Sequence, residues 1–202
     1  MMQKVKTAVL VSGGGTNLQA ILDAERSGKI TNATIAAVIS DRAEAYALRR
    51  AEQAGVEAVT IPFKELGRSE FERQLILALQ ERGIELIVLA GFMRILSADF
   101  TARYPERILN VHPSLIPSFC GEGYYGLKVH RAALDYGVKV TGATVHFVNE
   151  VPDGGKIVAQ KAVYIHSDDT PESLQKRVMR EAEWIIFPEA IESVAGNIRR
   201  SK

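Results

Sequence analysis

Two periods of apolar spacing alternate along the first half of the chain. Residues 5–11 are mostly apolar and lead straight into Ser12, Gly13, Gly14 and Gly15. A short apolar run ending in glycines predicts a buried strand leaving its sheet. From 17 to 27 the pattern turns helical, with Leu18, Ile21 and Leu22 on one side and Gly28 as the stop. The pair then repeats. An apolar run over 33–39 precedes a helical pattern over 43–54 closed by Gly55, and 56–61 forms a third strand candidate. Residues 69–82 predict an amphipathic helix, with Phe71, Leu75 and Leu79 opposite acids and arginines. Residues 86–90 are apolar on both faces, as a central parallel strand requires, and 108–111 predicts a fifth strand. Strand and helix in this order predict an α/β fold: a doubly wound, Rossmann-like, mostly parallel sheet with right-handed crossovers.

The second half has a different rhythm. A short helix is expected over 127–136, and strands over 144–148 and 157–164. The segment between those strands, Asn149 to Gly155, is rich in turn residues, so they should pair antiparallel across a long loop. Thr170 as N-cap and Pro171 at the first helical position open a long C-terminal helix reaching about residue 195, which Pro188 should kink or break. No repeat or linker interrupts the chain, and 202 residues fit one domain at about 150 per domain.

Composition narrows the class. Lys plus Arg number 25 against 24 Asp plus Glu, so the formal net charge of +1 lacks the excess of a general nucleic-acid binder. A single cysteine, Cys120, excludes an intramolecular disulfide and a cysteine-rich zinc module, and fits a reducing, cytoplasmic setting. The apolar run 8–11 is too short for a signal-peptide core, and no stretch reaches the roughly 18 apolar residues of a membrane span.

Three segments carry candidate chemistry. The turn Gly13-Gly14-Gly15-Thr16-Asn17 links a strand to a helix, where backbone amides and the helix dipole favour an anion. It lacks the third glycine of a dinucleotide fingerprint, since Leu18 stands there, and the Gly-Lys-Ser/Thr of a P-loop. A phosphate monoester held by the amides, Thr16 and Asn17 is the functional reading; a tight structural turn is the alternative. Asn110 and His112 stand two apart at the carboxyl end of a strand, on one face, where ligands bind in open α/β sheets. A carboxamide and an imidazole there can polarise a carbonyl; a strand-end histidine satisfied by backbone is the plainer possibility. Asp153 before Gly154 and Gly155 is a turn residue or a proton-shuttling partner of His112. His146 either supports this site from beneath or is a satisfied core histidine. His130 is expected at the surface or an interface, and His166 solvated in a polar loop. No histidine spacing points to a metal.

These segments, in this order, resemble the phosphoribosylglycinamide formyltransferases of de novo purine synthesis. The resemblance is carried by Val11 to Leu18, Leu89 to Leu96, Asn110 to Leu115, Val145 to Val148, and Asp153-Gly154-Gly155. It implies transfer of a formyl group from 10-formyltetrahydrofolate, as co-substrate, to the amine of glycinamide ribonucleotide. Asn110, His112 and Asp153 would then be catalytic. Gly15, Thr16, Asn17, Arg68, Arg180 and Glu183 would hold the ribonucleotide. Leu89, Arg94, Ile95, Leu96 and Val148 would form the folate slot, with Arg94 pairing to the glutamate tail. Residues 1–105 become a phosphate-binding half and 106–202 a catalytic and folate-binding half of one domain. Partners are small molecules only, with neither nucleic acid nor membrane, and the chain is expected as monomer or homodimer. Cys120 replaces the family's usual proline, and 121–126 is longer than in relatives. Formyltetrahydrofolate deformylase, with water as acceptor, is the nearest alternative, though the first strand leaves no room for its extra N-terminal domain. A noncatalytic nucleotide-binding module is the alternative of a different class.

Overall fold

A computed structural model describes residues 3–202. The strands are β1 (Val5–Val11), β2 (Ala33–Ser40), β3 (Glu57–Thr60), β4 (Leu86–Leu89), β5 (Ile108–His112), β6 (Val140–Phe147) and β7 (Ile157–Tyr164). The helices are α1 (Thr16–Arg26), α2 (Tyr46–Gln53), α3 (Phe63–Glu81), α4 (Ala98–Ala102), α5 (Leu127–Tyr136), α6 (Pro171–Val178) and α7 (Trp184–Arg200). The sheet has seven strands in the order β3-β2-β1-β4-β5-β6-β7. Strands β1 to β5 pair in parallel, and β6 runs antiparallel to both neighbours. The strand order reverses direction beside β1, between β2 and β4. This is the switch point where such sheets bind ligands beyond their carboxyl ends.

The period of two in β1 builds both layers. Val9 and Val11 enter one core with Leu18 and Ile21 of α1 and Phe187 and Ile191 of α7. Ala8 and Leu10 enter the other with Phe71 and Leu75 of α3 and Phe100 of α4. A strand buried on both faces must be apolar throughout, which is why its sequence shows no alternation.

Several boundaries differ from expectation. Helix α3 begins at Phe63, but Gly67 breaks it with φ 71 and ψ 173. The amphipathic stretch predicted from residue 69 is the part beyond that break. Helix α4 was not anticipated; its five residues give too little periodicity to register, and the Ser97 side chain caps it by accepting from the Phe100 amide. Strand β6 starts at Val140, earlier than predicted, because Gly142 within it looks like a turn residue in sequence.

The C-terminal helix shows the largest change. Thr170 and Ser173 form the expected cap, each side chain accepting from the other residue's amide. The helix is then interrupted by a π-helical turn, Met179–Glu183, upstream of Pro188. Pro188 itself sits inside α7. The extra residue of the π turn loosens the backbone just before the proline's missing amide. It also delivers Glu183 to the ligand cleft.

Candidate active site

A cleft of about 840 Å³ opens above the carboxyl ends of β1, β4 and β5. That volume suits small-molecule sites, which run to roughly 300–1,000 Å³. Thr16, Asn17, Leu89, Arg94, Ile95, Leu96, Asn110, His112, Val148, Asp153 and Glu183 all line it. Most of the residues singled out in the sequence therefore converge on one space.

At one end, the register of β5 and β6 sets Asn110 opposite His146. His146 Nδ1 lies 2.8 Å from the Phe147 carbonyl oxygen. Its Nε2 lies 3.3 Å from Asn110 Nδ2 and 3.4 Å from Asp153 Oδ1. His146 is thus a buried ring satisfied by backbone at one nitrogen and facing Asn110 and Asp153 with the other. The sequence signal was its alternation with Val145 and Phe147, which places it on the face that Asn110 shares.

His112 is 4% exposed, and its Nε2 donates to the Phe119 carbonyl at 2.8 Å. Its Nδ1 then faces Asp153 Oδ2 at 3.3 Å. Burial lowers the His112 pKa below the ordinary imidazole value, and the Asp153 charge and Phe119 carbonyl only partly oppose this. For Asp153, burial pushes upward, but His146, His112 and the Gly121 amide together hold the carboxyl below its usual range. The resting pair is therefore a neutral imidazole lone pair beside a carboxylate. Two acceptors at that spacing form a receptor for one proton.

Asp153 is held in place by local chemistry. Its φ of 55 lies in the left-handed region, which aspartate tolerates better than most side chains. The Gly121 amide donates to Oδ2 at 2.8 Å. Gly155 closes the loop because a Cβ there would meet the Phe147 carbonyl oxygen at 1.7 Å, a distance no side chain permits.

At the other end, Gly15 has φ 71, and a Cβ would lie 2.7 Å from the Ala47 Cβ. Only glycine lets α1 begin this close to α2. Asn17 Nδ2 donates to Glu183 Oε2 at 2.7 Å. Glu183 is buried, and that burial raises its pKa to about 7 despite the Asn17 hydrogen bond. The Met93 amide donates to Ser12 Oγ at 2.9 Å, tying the loop after β4 to the turn after β1.

The apolar wall is mixed in character. Leu89 and Leu96 are buried, whereas Ile95 is 58% exposed and lies in a loop rather than in a buried strand. Arg94 lines the cleft but is already engaged: its Nε donates to the buried Asp41 Oδ2 at 2.6 Å, and its guanidinium covers the Phe63 ring at 4.3 Å. Arg68 and Arg180 are both exposed, and the cleft lining includes neither. Arg180 instead meets Glu181 at 3.3 Å.

Sequence reasoning placed His130 at the surface, and the structure corrects this. His130 is 1% exposed and lines the cleft. Its neighbour Arg131 suggested a polar face, but Val129, His130 and Ala133 form the buried side of α5. Among the described residues, no cluster of His, Cys, Asp and Glu is arranged to hold a metal ion. No described helix is long and apolar enough to cross a membrane.

A carboxylate–imidazole pair at one end of a cleft and an amide-rich turn at the other are parts from which acyl-group transfer to an anionic acceptor can be built. The family comparison agrees: the formyl transferase model matches residues 5–191, and the chain belongs to that family. It is 46% identical over 184 residues to the phosphoribosylglycinamide formyltransferase of Haemophilus influenzae, covering 91% of this chain and 84% of that protein. It is also 46% identical over 193 residues to the trifunctional purine biosynthetic protein adenosine-3 of Gallus gallus. That match covers 95% of this chain but 18% of that protein, so the chain spans about a fifth of the trifunctional relatives. The crystal structure of glycinamide ribonucleotide transformylase 1 from Symbiobacterium toebii superposes with a TM-score of 0.89 at 46% identity, covering 96% of this chain and 89% of that one.

Proposed function

We infer that this chain transfers the formyl group of 10-formyltetrahydrofolate to the amine of glycinamide ribonucleotide. The observation that carries this reading is the single cleft joining the Asn110–His112–Asp153–His146 cluster to Thr16, Asn17 and Glu183.

In this reading the phosphate rests on the amides after β1 with Thr16 and Asn17, and Glu183 accepts from ribose hydroxyls. The folate ring lies against Leu89, Ile95, Leu96 and Val148, where an exposed isoleucine gains from being covered. Arg94, steadied by Asp41, offers its remaining N–H groups to the glutamate tail. The amine nitrogen attacks the formyl carbon, and the carbonyl oxygen becomes an oxyanion stabilised by the Asn110 carboxamide and by the positive charge that His112 gains on taking up the proton. His112 Nδ1 and Asp153 take the proton from the attacking nitrogen. The carbon–nitrogen bond to the folate then breaks, and the departing folate nitrogen takes up the proton that the amine gave. Arg68 and Arg180, lying outside the cleft, act on the phosphate as long-range positive charge.

The test is turnover of 10-formyltetrahydrofolate, followed by folate absorbance, with and without glycinamide ribonucleotide. Turnover only with the amine supports the transferase. Equal turnover without it makes water the acceptor, and no turnover in either arm leaves a binding module.

A further inference from the structure

His112 and His146 have polar neighbours at all four of their ring nitrogens. The third buried histidine of the cleft does not. Both His130 nitrogens are buried with no hydrogen-bond partner among the described residues. A buried polar group left unpaired costs stability, so such a group calls for a physical reason.

Its position supplies one. His130 lies on α5, which packs against α6, and the Gln175 and Met179 side of that element lines the same cleft. On one flank it is close enough to His112 that protonation of one ring disfavours protonation of the other. On the other, the π turn brings Glu183 to the cleft. His130 therefore lines the same space as the proton receptor and the sugar-binding carboxylate. In glycinamide ribonucleotide, the group between the ribose and the reacting amine is an amide, with one N–H donor and one C=O acceptor.

We propose that His130 is a binding residue for the acceptor substrate, its imidazole hydrogen-bonding the amide link between the ribose and the reacting amine. The proposal rests on the acceptor assigned above. A neutral imidazole carries one donor and one acceptor, matching the amide, whereas an imidazolium would carry two donors. Burial and the nearby His112 hold the His130 pKa down to about 4, so the ring is neutral at physiological pH. A neutral ring also leaves the amine nucleophile free of an added neighbouring cation.

The experiment measures glycinamide ribonucleotide binding by calorimetry, steady-state kinetics with each substrate varied, and thermal unfolding, for wild type, His130→Leu and His130→Gln. His130→Leu should weaken ribonucleotide binding about tenfold, the scale of one lost hydrogen bond. Its KM for 10-formyltetrahydrofolate should stay within about twofold. Its melting temperature should match or exceed wild type, because two unpaired buried nitrogens are gone. His130→Gln, which keeps a donor and an acceptor, should recover part of the affinity. A His130→Leu protein that binds ribonucleotide like wild type, or that loses folate and ribonucleotide affinity equally, overturns the proposal while leaving the function intact. A lowered melting temperature with unchanged kinetics overturns it too and makes His130 a packing residue. A wild-type protein that does not bind glycinamide ribonucleotide overturns the functional reading itself, and this inference with it.

Discussion

The two ends of the cleft are built in different ways. The turn after β1 is local: Gly15, Thr16 and Asn17 are consecutive, and one strand-to-helix transition aims them at the same place. The reacting end is assembled from distant segments, with Asn110 and His112 on β5, His146 on β6, and Asp153 and Gly121 from separate loops. A local site tolerates change elsewhere but not within its own backbone. A composite site depends on each segment arriving, and on the charges those segments bring to one another.

The strongest way to break the comparison is at the composite end. Asp153→Asn removes the carboxylate that completes the proton receptor, and should lower kcat by about 10²–10⁴ with ribonucleotide binding little changed. Near-full activity would remove Asp153 from the mechanism. The Asp153 carboxyl is also depressed in the fold, so the stability it contributes is present above the unfolded carboxylate value and is lost as pH falls through the folded one.

Glu183 belongs to the local end, where it accepts from Asn17, and titrates in the opposite sense. Its raised pKa, about 7, means the folded protein keeps a proton that the unfolded chain releases. That stability is full below about pH 4.5 and is lost as pH rises through 7. The span corresponds to about 3 kcal/mol. Glu183→Gln should flatten this part of the profile in denaturant titrations between pH 4.5 and 7.5. An unchanged slope would show that Glu183 is already ionised in the fold.

The local end is sharpened by Gly15→Ala. The added Cβ meets Ala47 and forces a left-handed φ on an L residue, a strain of about 1–2 kcal/mol. The KM for ribonucleotide should rise several-fold while the KM for folate stays put. A folate-selective effect would move the phosphate elsewhere. The smallest effects are expected at Arg68 and Arg180. Alanine at either should raise the ribonucleotide KM by less than about threefold, an effect that fades as salt screens it. A larger, salt-resistant loss at Arg180 would mean that it reaches the phosphate directly.

How far the sequence carried the argument differs between the same two regions. The glycines after β1 and the alternating halves of the chain were legible because strand, turn and helix signals are short-range. So was the Asn-x-His spacing, since a strand puts residues two apart on one face. His130 was misplaced because a charged neighbour outweighed the buried Val129 and Ala133 that flank it on α5. The π turn was invisible, because no local residue pattern distinguishes a widened turn from an ordinary helix carrying a proline.

By itself, the chain determined the α/β alternation, the antiparallel second half, and the identity of Asn110, His112 and Asp153 as candidates. Those follow from periodicity and residue chemistry, which act over a few residues. Only the tertiary structure decided that His146 bonds to that set, that Arg94 is held by Asp41 rather than free, and that Glu183 and His130 face the same cleft. Each of these depends on which segments the sheet order brings together. Burial then set their protonation, because desolvation acts on a group only once distant parts of the chain have closed over it.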